Sequence, residues 1–294
     1  MGQPDDQPRQ ENSSAATTIR LVVSDMDGTV LNKEKILSEE TLQAARKLSA
    51  QGIKLCLVSS RFPPGMERFR RQMGLDTPLG ALNGAEIVDS QGKILSSLTL
   101  APETVQQACR ILQENGVDAW LYSQRDWYVT DKSAPHVQHE SDVVGTPPQV
   151  VDDLSAHFHQ VGKIQGVCDD AEKLEKLERD IAETLGDAAS VHRSSDYYLD
   201  ITPQKANKGF ALKFLAAHYG FSLEEVACIG DMSNDVPMLK LGQVSIAMGN
   251  ARDDVKRHAK YVTASNAEEG WAKAMAQFVL PHAPVTGINR KETP

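Results

Sequence analysis

Four short polar clusters carry the side chains that chemistry needs, each following a strand-like apolar run. They are Ser24-Asp25-Met26-Asp27-Gly28-Thr29, Ser59-Ser60-Arg61, Asn83-Gly84 and Gly230-Asp231-Met232-Ser233-Asn234-Asp235. Taken singly, each is ordinary turn or cap chemistry: Asp and Gly close turns, Ser59 can cap a helix, and Asn234-Asp235 can cap the helix that Pro237 begins. Turn chemistry gives no reason, however, to gather carboxylates at one edge. Asp25, Asp27, Asp231 and Asp235 would repel one another as ionised groups unless a cation sat among them. Hard carboxylate oxygens suit Mg²⁺, which prefers octahedral oxygen ligands and keeps several waters. The expectation is a divalent-metal site.

That site requires elements that deliver the four clusters to one place. Residues 19–24 form a short run rich in β-branched residues, as in a strand buried on both faces. Ser38 then reads as an N-cap, with Glu39 and Glu40 in the first turn and Leu42, Ala45 and Leu48 at helical spacing up to Gly52. Residues 53–58 read as the next strand, and strand, helix, strand in this order calls for a right-handed crossover and a parallel sheet. The alternation returns with a helix at 207–220, a strand at 226–229, a helix at 235–241 and a strand at 244–247. A short helix near Asp253, a strand at Tyr261 and Val262, and an amphipathic helix carrying Trp271, Met275 and Phe278 complete it. The expected fold class is α/β, a doubly wound parallel sheet whose ligand crevice lies at the carboxyl ends of the strands, where all four clusters fall.

Between these halves the pattern changes. Residues 94–100, 117–122 and 127–130 read as strands, Gln91-Gly92 as a turn, and residues 105–112 and Leu174, Leu177, Ile181 and Leu185 as helical. The reading is a core of residues 19–85 and 196–281 with an inserted α+β cap domain at 86–195 covering the working edge. Residues 1–18 and 282–294 read as tails without apolar periodicity.

Composition excludes several classes. With 40 acidic against 31 basic residues the formal charge is −9, which argues against a basic nucleic-acid clamp. No apolar stretch approaches the ~18 residues of a membrane span, and the N-terminus lacks a secretory pattern, so a cytoplasmic protein is expected. The four cysteines are widely spaced, as in reduced thiols rather than a disulfide framework. His136, His139, His157 and His159 are assigned to polar cap loops rather than to a metal, and Trp120, Trp127 and Tyr128 to the cap core.

Asp25-Met26-Asp27-Gly28-Thr29, Ser59, Lys208 before a helix, and Gly230-Asp231 with Asn234-Asp235 resemble, in order and spacing, the four motifs of the haloacid dehalogenase superfamily. Asn83-Gly84-Ala85, Lys208-Gly209 and Ser245-Ile246-Ala247-Met248-Gly249-Asn250-Ala251 are similar to its Cof-type sugar-phosphatase branch, whose large α/β cap lies between the second and third motifs. The resemblance spans residues 19 to about 280. It implies Asp25 as nucleophile, Asp27 as general acid and base, and Ser59 and Lys208 as holders of the transferring phosphoryl group. It further implies Mg²⁺ held by Asp25, Asp231 and the Asp27 backbone carbonyl, supported by Asn234 and Asp235. Gly28, Thr29, Ser60, Arg61, Asn83 and Gly84 then belong to loops around phosphate and substrate. Ser60 stands where many relatives have Gly. Lys205 competes with Lys208 for the third motif, but Gly209-Phe210-Ala211-Leu212 favours Lys208. Arg61 either contacts substrate or pairs with an acidic neighbour.

The implied activity is a Mg²⁺-dependent phosphatase acting through an aspartyl phosphate on a small phosphorylated metabolite, either a sugar phosphate or a phosphorylated cofactor such as a flavin or pyridoxal phosphate. Two alternatives stay open. One is a phosphotransferase or mutase using the same nucleophile, and the other is a catalytically silent protein that binds a phosphorylated ligand. No nucleic-acid or membrane partner is expected, and the protein is read as a monomer or homodimer.

Overall fold

The computed structural model describes residues 18–124 and 126–283. The expected tails lie outside the described residues, apart from Thr18, His282 and Ala283.

The chain begins with strand β1 (Leu21–Ser24), helix α1 (Glu39–Ala50), β2 (Lys54–Leu57) and α2 (Pro63–Gln72). Short strands β3 (Leu79–Ala81), β4 (Glu86–Val88) and β5 (Ile94–Ser97) follow. The inserted region continues with α3 (Pro102–Glu114), β6 (Asp118–Ser123), β7 (Asp126–Val129), α4 (Val137–Val144) and β8 (Gln149–Val150). Next come β9 (Val161–Val167), α5 (Ala171–Leu185), β10 (Ser190–Arg193) and β11 (Tyr198–Thr202). The chain then returns through α6 (Lys208–His218), β12 (Val226–Gly230), α7 (Val236–Leu239), β13 (Val244–Ala247), α8 (Asp253–Lys256), β14 (Tyr261–Val262) and α9 (Gly270–Ala274).

The core sheet has the order β14-β13-β12-β1-β2, and every pairing in it is parallel. Its central strands β1 and β12 are buried throughout, which is why both read as continuous apolar runs. Apolar clusters lie on both faces, one with α1 and α9 and the other with α6 and α7. This is the doubly wound α/β core expected from the sequence. Helix α1 starts where expected, with the Ser38 side chain accepting from the Thr41 amide.

The cap is a six-stranded sheet of order β10-β11-β9-β6-β7-β8, antiparallel except for β7 with β8. Helices α3 and α5 cover one face through Val105, Leu112, Leu174 and Ile181, packed on Ile164, Leu199 and Ile201. The other face turns toward the core. There Tyr122 meets Phe62 edge-on with ring centroids 5.3 Å apart, and Trp120, Trp127, Val137 and Val144 join the cluster that contains Phe62 and Met66. Helix α4 lies so close to α2 that a Cβ at Gly65 would sit 3.2 Å from the Val143 carbonyl oxygen. A side chain at this position would require α4 to give way by a few tenths of an ångström.

Three elements differ from expectation. The strand expected over 94–100 ends at Ser97, and Pro102 then starts α3 at its first position. The helix expected over 235–241 is a 3₁₀ turn followed by the short α7. The last helix is α9 continued by a wider π turn over Met275–Val279. Trp120 and Trp127 are buried at the cap–core junction, while Tyr128 stacks on His157. His136 bonds Asp169 at 2.6 Å and stacks on Tyr197, and His139 and His159 are exposed.

Candidate active site

The site is built where β1 and β12 run side by side and end together. The Asp25 amide donates to the Ile229 carbonyl at 3.0 Å, which fixes the exit of β1 beside that of β12. Trp271 Nε1 donates to Ser24 Oγ, and Ser24 Oγ in turn donates to the Asp25 carbonyl, so the loop starts from a braced point. Gly28 has φ +80°, and a Cβ there would run into the Asp231 carboxylate. The loop can therefore turn back against β12 only with glycine at this position.

Lys208 opens α6, whose N-cap Asn207 accepts from the Phe210 amide. The residue is 1% exposed, and its ammonium donates to Asp25 Oδ1 at 2.5 Å and to Asp235 Oδ1 at 2.6 Å. The other Asp235 oxygen accepts from the backbone amides of Asp231 and Met232, each at 2.8 Å. Asp231 accepts from Thr29 Oγ1 at 3.0 Å and from Asn250 Nδ2 at 3.1 Å. Lys205 is exposed, and of the two lysines it is Lys208 that reaches Asp25 and Asp235.

Asp25, Asp231 and Asp235 each offer a carboxylate oxygen within 4.8 Å of the other two. Burial drives the Asp25 carboxyl well above its usual range; Lys208 opposes this, and the neighbouring Asp235 and Asp231 add to it. Burial, with Asp235 beside it, likewise pushes Asp231 up to about 6. Burial works against the Lys208 ammonium, but Asp235 and Asp25 outweigh it and hold the lysine charged. Asp25 Oδ2 is buried and has no hydrogen-bond donor among the described residues. A one-to-three balance of cation to carboxylate with an orphan oxygen fits a hard divalent cation.

Asp27 faces a different environment. Arg61 clamps it through Nε to Oδ2 at 2.6 Å and Nη2 to Oδ1 at 2.7 Å, and Lys35 Nζ lies 2.7 Å from Oδ1. Burial acts to raise this carboxyl, yet Arg61 and Lys35 outweigh it and hold it at about 2. Of the two roles open to Arg61, the structure shows the pairing with an acidic neighbour. Ser59 Oγ accepts from the Arg61 amide, and the Asn83 amide donates to the Ser59 carbonyl at 2.8 Å, which draws those two loops together. Asn83 and Gly84 take positive φ, 56° and 93°.

Ser60 stands beside Ser59 on the wall of the cavity into which the site opens, about 470 Å³ in volume. Its core wall carries Asp25, Asp27, Ser59, Asn83, Lys208 and Asn234; its cap wall carries Glu178, His192, Arg193 and Asp200. Asn234 donates to Asn83 at 3.0 Å, so its amide joins two loops, and the contact to Asp231 comes from Asn250 instead. Lys35, Asn250 and the cap-wall residues escaped the sequence reading. Asn250 stood inside the segment 245–251 singled out for its resemblance, whereas Lys35 is one lysine in a turn and carried no signal.

Fold and site together define a class: a core sheet with a carboxylate-rich crevice, closed over by an inserted cap. A family model for haloacid dehalogenase-like hydrolases matches residues 22–275. A putative phosphatase of Haemophilus influenzae is 28% identical over 86% of this chain and 95% of its own. An HMP-PP phosphatase of Klebsiella pneumoniae is 31% identical over 81% of this chain and 86% of its own. The crystal structure of a haloacid dehalogenase-like hydrolase from Bacteroides thetaiotaomicron superposes with a TM-score of 0.81 at 29% identity, covering 88% of this chain and 98% of that one. The chain belongs to the haloacid dehalogenase-like hydrolases, in their Cof-type branch. It is a phosphoric monoester hydrolase.

Proposed function

We propose that the protein hydrolyses a small phosphorylated metabolite in two steps through an aspartyl phosphate on Asp25, with Mg²⁺ as cofactor. The observation that carries this reading is Asp25 itself, a carboxylate with one oxygen held by Lys208 and the other unpartnered, on the wall of a polar cavity.

In the first step an Asp25 oxygen attacks phosphorus, the bond to the leaving oxygen breaks, and Asp27 delivers the proton that the leaving alkoxide takes. In the second, Asp27 removes a proton from water, the water oxygen attacks phosphorus, and Asp25 is released with inorganic phosphate. Ser59 and Lys208 neutralise and orient the transferring oxygens. The residues that would hold Mg²⁺ are Asp25, Asp231 and the backbone carbonyl of Asp27, with Asp235 and Asn250 fixing Asp231. Bound there, the ion supplies charge that lets carboxylate and phosphate approach.

Asp27 serves as a base in the state seen here, because Arg61 and Lys35 keep it ionised. To serve as an acid it must leave their clamp. Arg61→Ala is therefore expected to move the Asp27 carboxyl upward from about 2, since burial is then opposed by Lys35 alone. A carbon-13 NMR titration of labelled aspartate reads this, and an unmoved value contradicts it.

Metal and pH are linked in a definite direction. Asp25 and Asp231 have raised carboxyls, so the metal-free fold prefers them protonated. That contribution is fully present below the ordinary 3.8 and is lost as pH rises through about 6, the value for Asp231. Mg²⁺ binds the ionised form, so its stabilisation is expected to be larger at about pH 7.5 than at about pH 5. Thermal unfolding with Mg²⁺ and with chelator at both values reads the difference. Equal shifts at the two values contradict the assigned site.

The proposal as a whole is tested by phosphate release from an aryl phosphate and a panel of sugar and cofactor phosphates, with Mg²⁺ and with chelator. Metal-dependent release supports it, and absence of release from every substrate contradicts it.

A further inference from the structure

Helix α4 brings to the cap–core junction a buried acid that the two-step reading leaves unused. Glu140 is 9% exposed, and its carboxylate accepts from the Tyr122 phenol at 2.9 Å and from the Tyr198 phenol at 3.5 Å. Burial, and then the Glu140 charge, push both phenols up, so they stay neutral donors. Among the described residues no ion pair reaches Glu140: the Lys163 ammonium, 4.3 Å from the centre of the Tyr122 ring, sits 3.6 Å from Asp200 instead. A buried carboxylate held by neutral donors alone is costly, and a cation close by offsets that cost.

Arg61 is the cation beside it. Phe62, the next residue, meets the Tyr122 ring edge-on at 5.3 Å, and the helix that Phe62 caps, α2, packs against α4 at Gly65. Burial opposes the Arg61 charge, while Asp27 first, then Glu140, then Asp25 support it. Glu140 thus acts on the guanidinium more strongly than the attacking carboxylate does. Arg61 commits Nε and Nη2 to Asp27, whereas its Nη1 is buried and has no acceptor among the described residues. An unused donor of a buried guanidinium and a carboxylate held only by phenols therefore lie at one junction.

The two cations on Asp27 differ in where they can go. The Lys35 side chain is half-exposed and can exchange the carboxylate for water. The Arg61 side chain is 8% exposed and lies against the Phe69 ring, 5.3 Å from its centre, so water is no alternative for it. Freeing Asp27 for the leaving oxygen therefore requires a second buried acceptor for Arg61, because a buried charge left without a partner is strongly unfavourable. We propose that Glu140 is that acceptor, a second seat to which the Arg61 guanidinium turns when Asp27 swings to the leaving oxygen. This rests on the aspartyl-phosphate reading and adds to it a positioning residue from the cap. Glu140 does not line the cavity, so it acts through Arg61 and not on the substrate.

The test compares kcat/KM, which reports the first transfer, for phenyl phosphate and 4-nitrophenyl phosphate in the presence of Mg²⁺. The two esters are alike in shape, but phenolate is the poorer leaving group and depends more on the proton that Asp27 delivers. In Glu140→Gln the phenyl-to-nitrophenyl ratio is expected to fall roughly tenfold, part of the roughly 10²- to 10⁴-fold that proton delivery contributes. Glu140→Asp keeps the charge but sets it back; it lowers the ratio by a smaller factor and carries the test if Glu140→Gln fails to fold. In an Arg61→Ala background, Glu140→Gln is expected to leave the ratio where Arg61→Ala alone puts it, because no guanidinium remains to be seated. Both esters slowed by the same factor in the variants that fold, or a Glu140→Gln effect undiminished without Arg61, overturns the assignment and leaves Glu140 a packing partner of two phenols. A wild type that releases phosphate from neither ester overturns the phosphatase reading instead, and this assignment with it.

Discussion

Asp25→Asn is expected to lower kcat for phosphate release roughly 10⁴- to 10⁶-fold, the scale on which loss of a covalent nucleophile acts. The amide keeps the shape of the side chain and one oxygen within reach of Lys208, so binding of phosphate is retained while the attacking atom is lost. Stability moves the other way. Asp25 is a buried carboxyl raised by burial and by its neighbours Asp235 and Asp231, with Lys208 opposing. Replacing it with a neutral amide removes a charge that the fold disfavours, so Tm in the absence of metal is expected to hold or rise. Gain in stability with loss of turnover marks a functional charge. A variant that unfolds, or that retains a tenth of wild-type activity, contradicts this role.

Lys208→Met is expected to be costly in both respects. The lysine is the shared donor for Asp25 and Asp235, at 2.5 and 2.6 Å, and it is buried. Removing one partner from a buried ionic cluster leaves uncompensated charge, at a cost of about 3–5 kcal/mol. The Lys208 pKa is raised above its ordinary 10.5, so its contribution is fully present at neutral pH and is lost only as pH rises beyond that value. Urea unfolding at neutral pH therefore shows the full effect. Because the stranded groups are carboxylates, acidification that protonates them recovers part of the loss, whereas a simple packing defect shows no such recovery. Turnover is expected to fall by at least about 10²-fold, through loss of charge at the transferring phosphoryl group. Destabilisation below about 1 kcal/mol is incompatible with the buried cluster as described.

The core was legible in the sequence because burial on both faces leaves an unmistakable apolar run. β1 and β12 read as strands, and the polar residues just beyond them, Asp25, Asp27, Asp231 and Asp235, stood out against that background. Lys208 was legible through its resemblance and through the helix it opens. The cap was less so. β9 runs Val-Gly-Lys-Ile-Gln-Gly-Val, and its alternation is hidden because every position is buried, with Lys163 and Gln165 sharing the face that carries Tyr122 and Trp120 and Lys163 paired with Asp200. Helix α2 was missed for a related reason: Glu67, Arg68, Arg70 and Arg71 dominate it, yet Arg70 is buried, donating to Glu67 and to the carbonyls of Leu75 and Ser90. Pairings between distant segments were out of reach altogether. Nothing local to Lys35 or Arg61 shows that both close on Asp27, and nothing in residues 190–200 shows that they reach the same cavity as Asp25.

The central claim is that phosphorus becomes bonded to Asp25 during turnover. Acid quenching during steady-state hydrolysis, followed by borohydride reduction and peptide mapping by mass spectrometry, tests it directly, because an acyl phosphate on aspartate is reduced to homoserine. The account predicts homoserine at position 25, dependent on substrate and Mg²⁺. Continued turnover with Asp25 unmodified, and with Asp25→Asn still active, would contradict it.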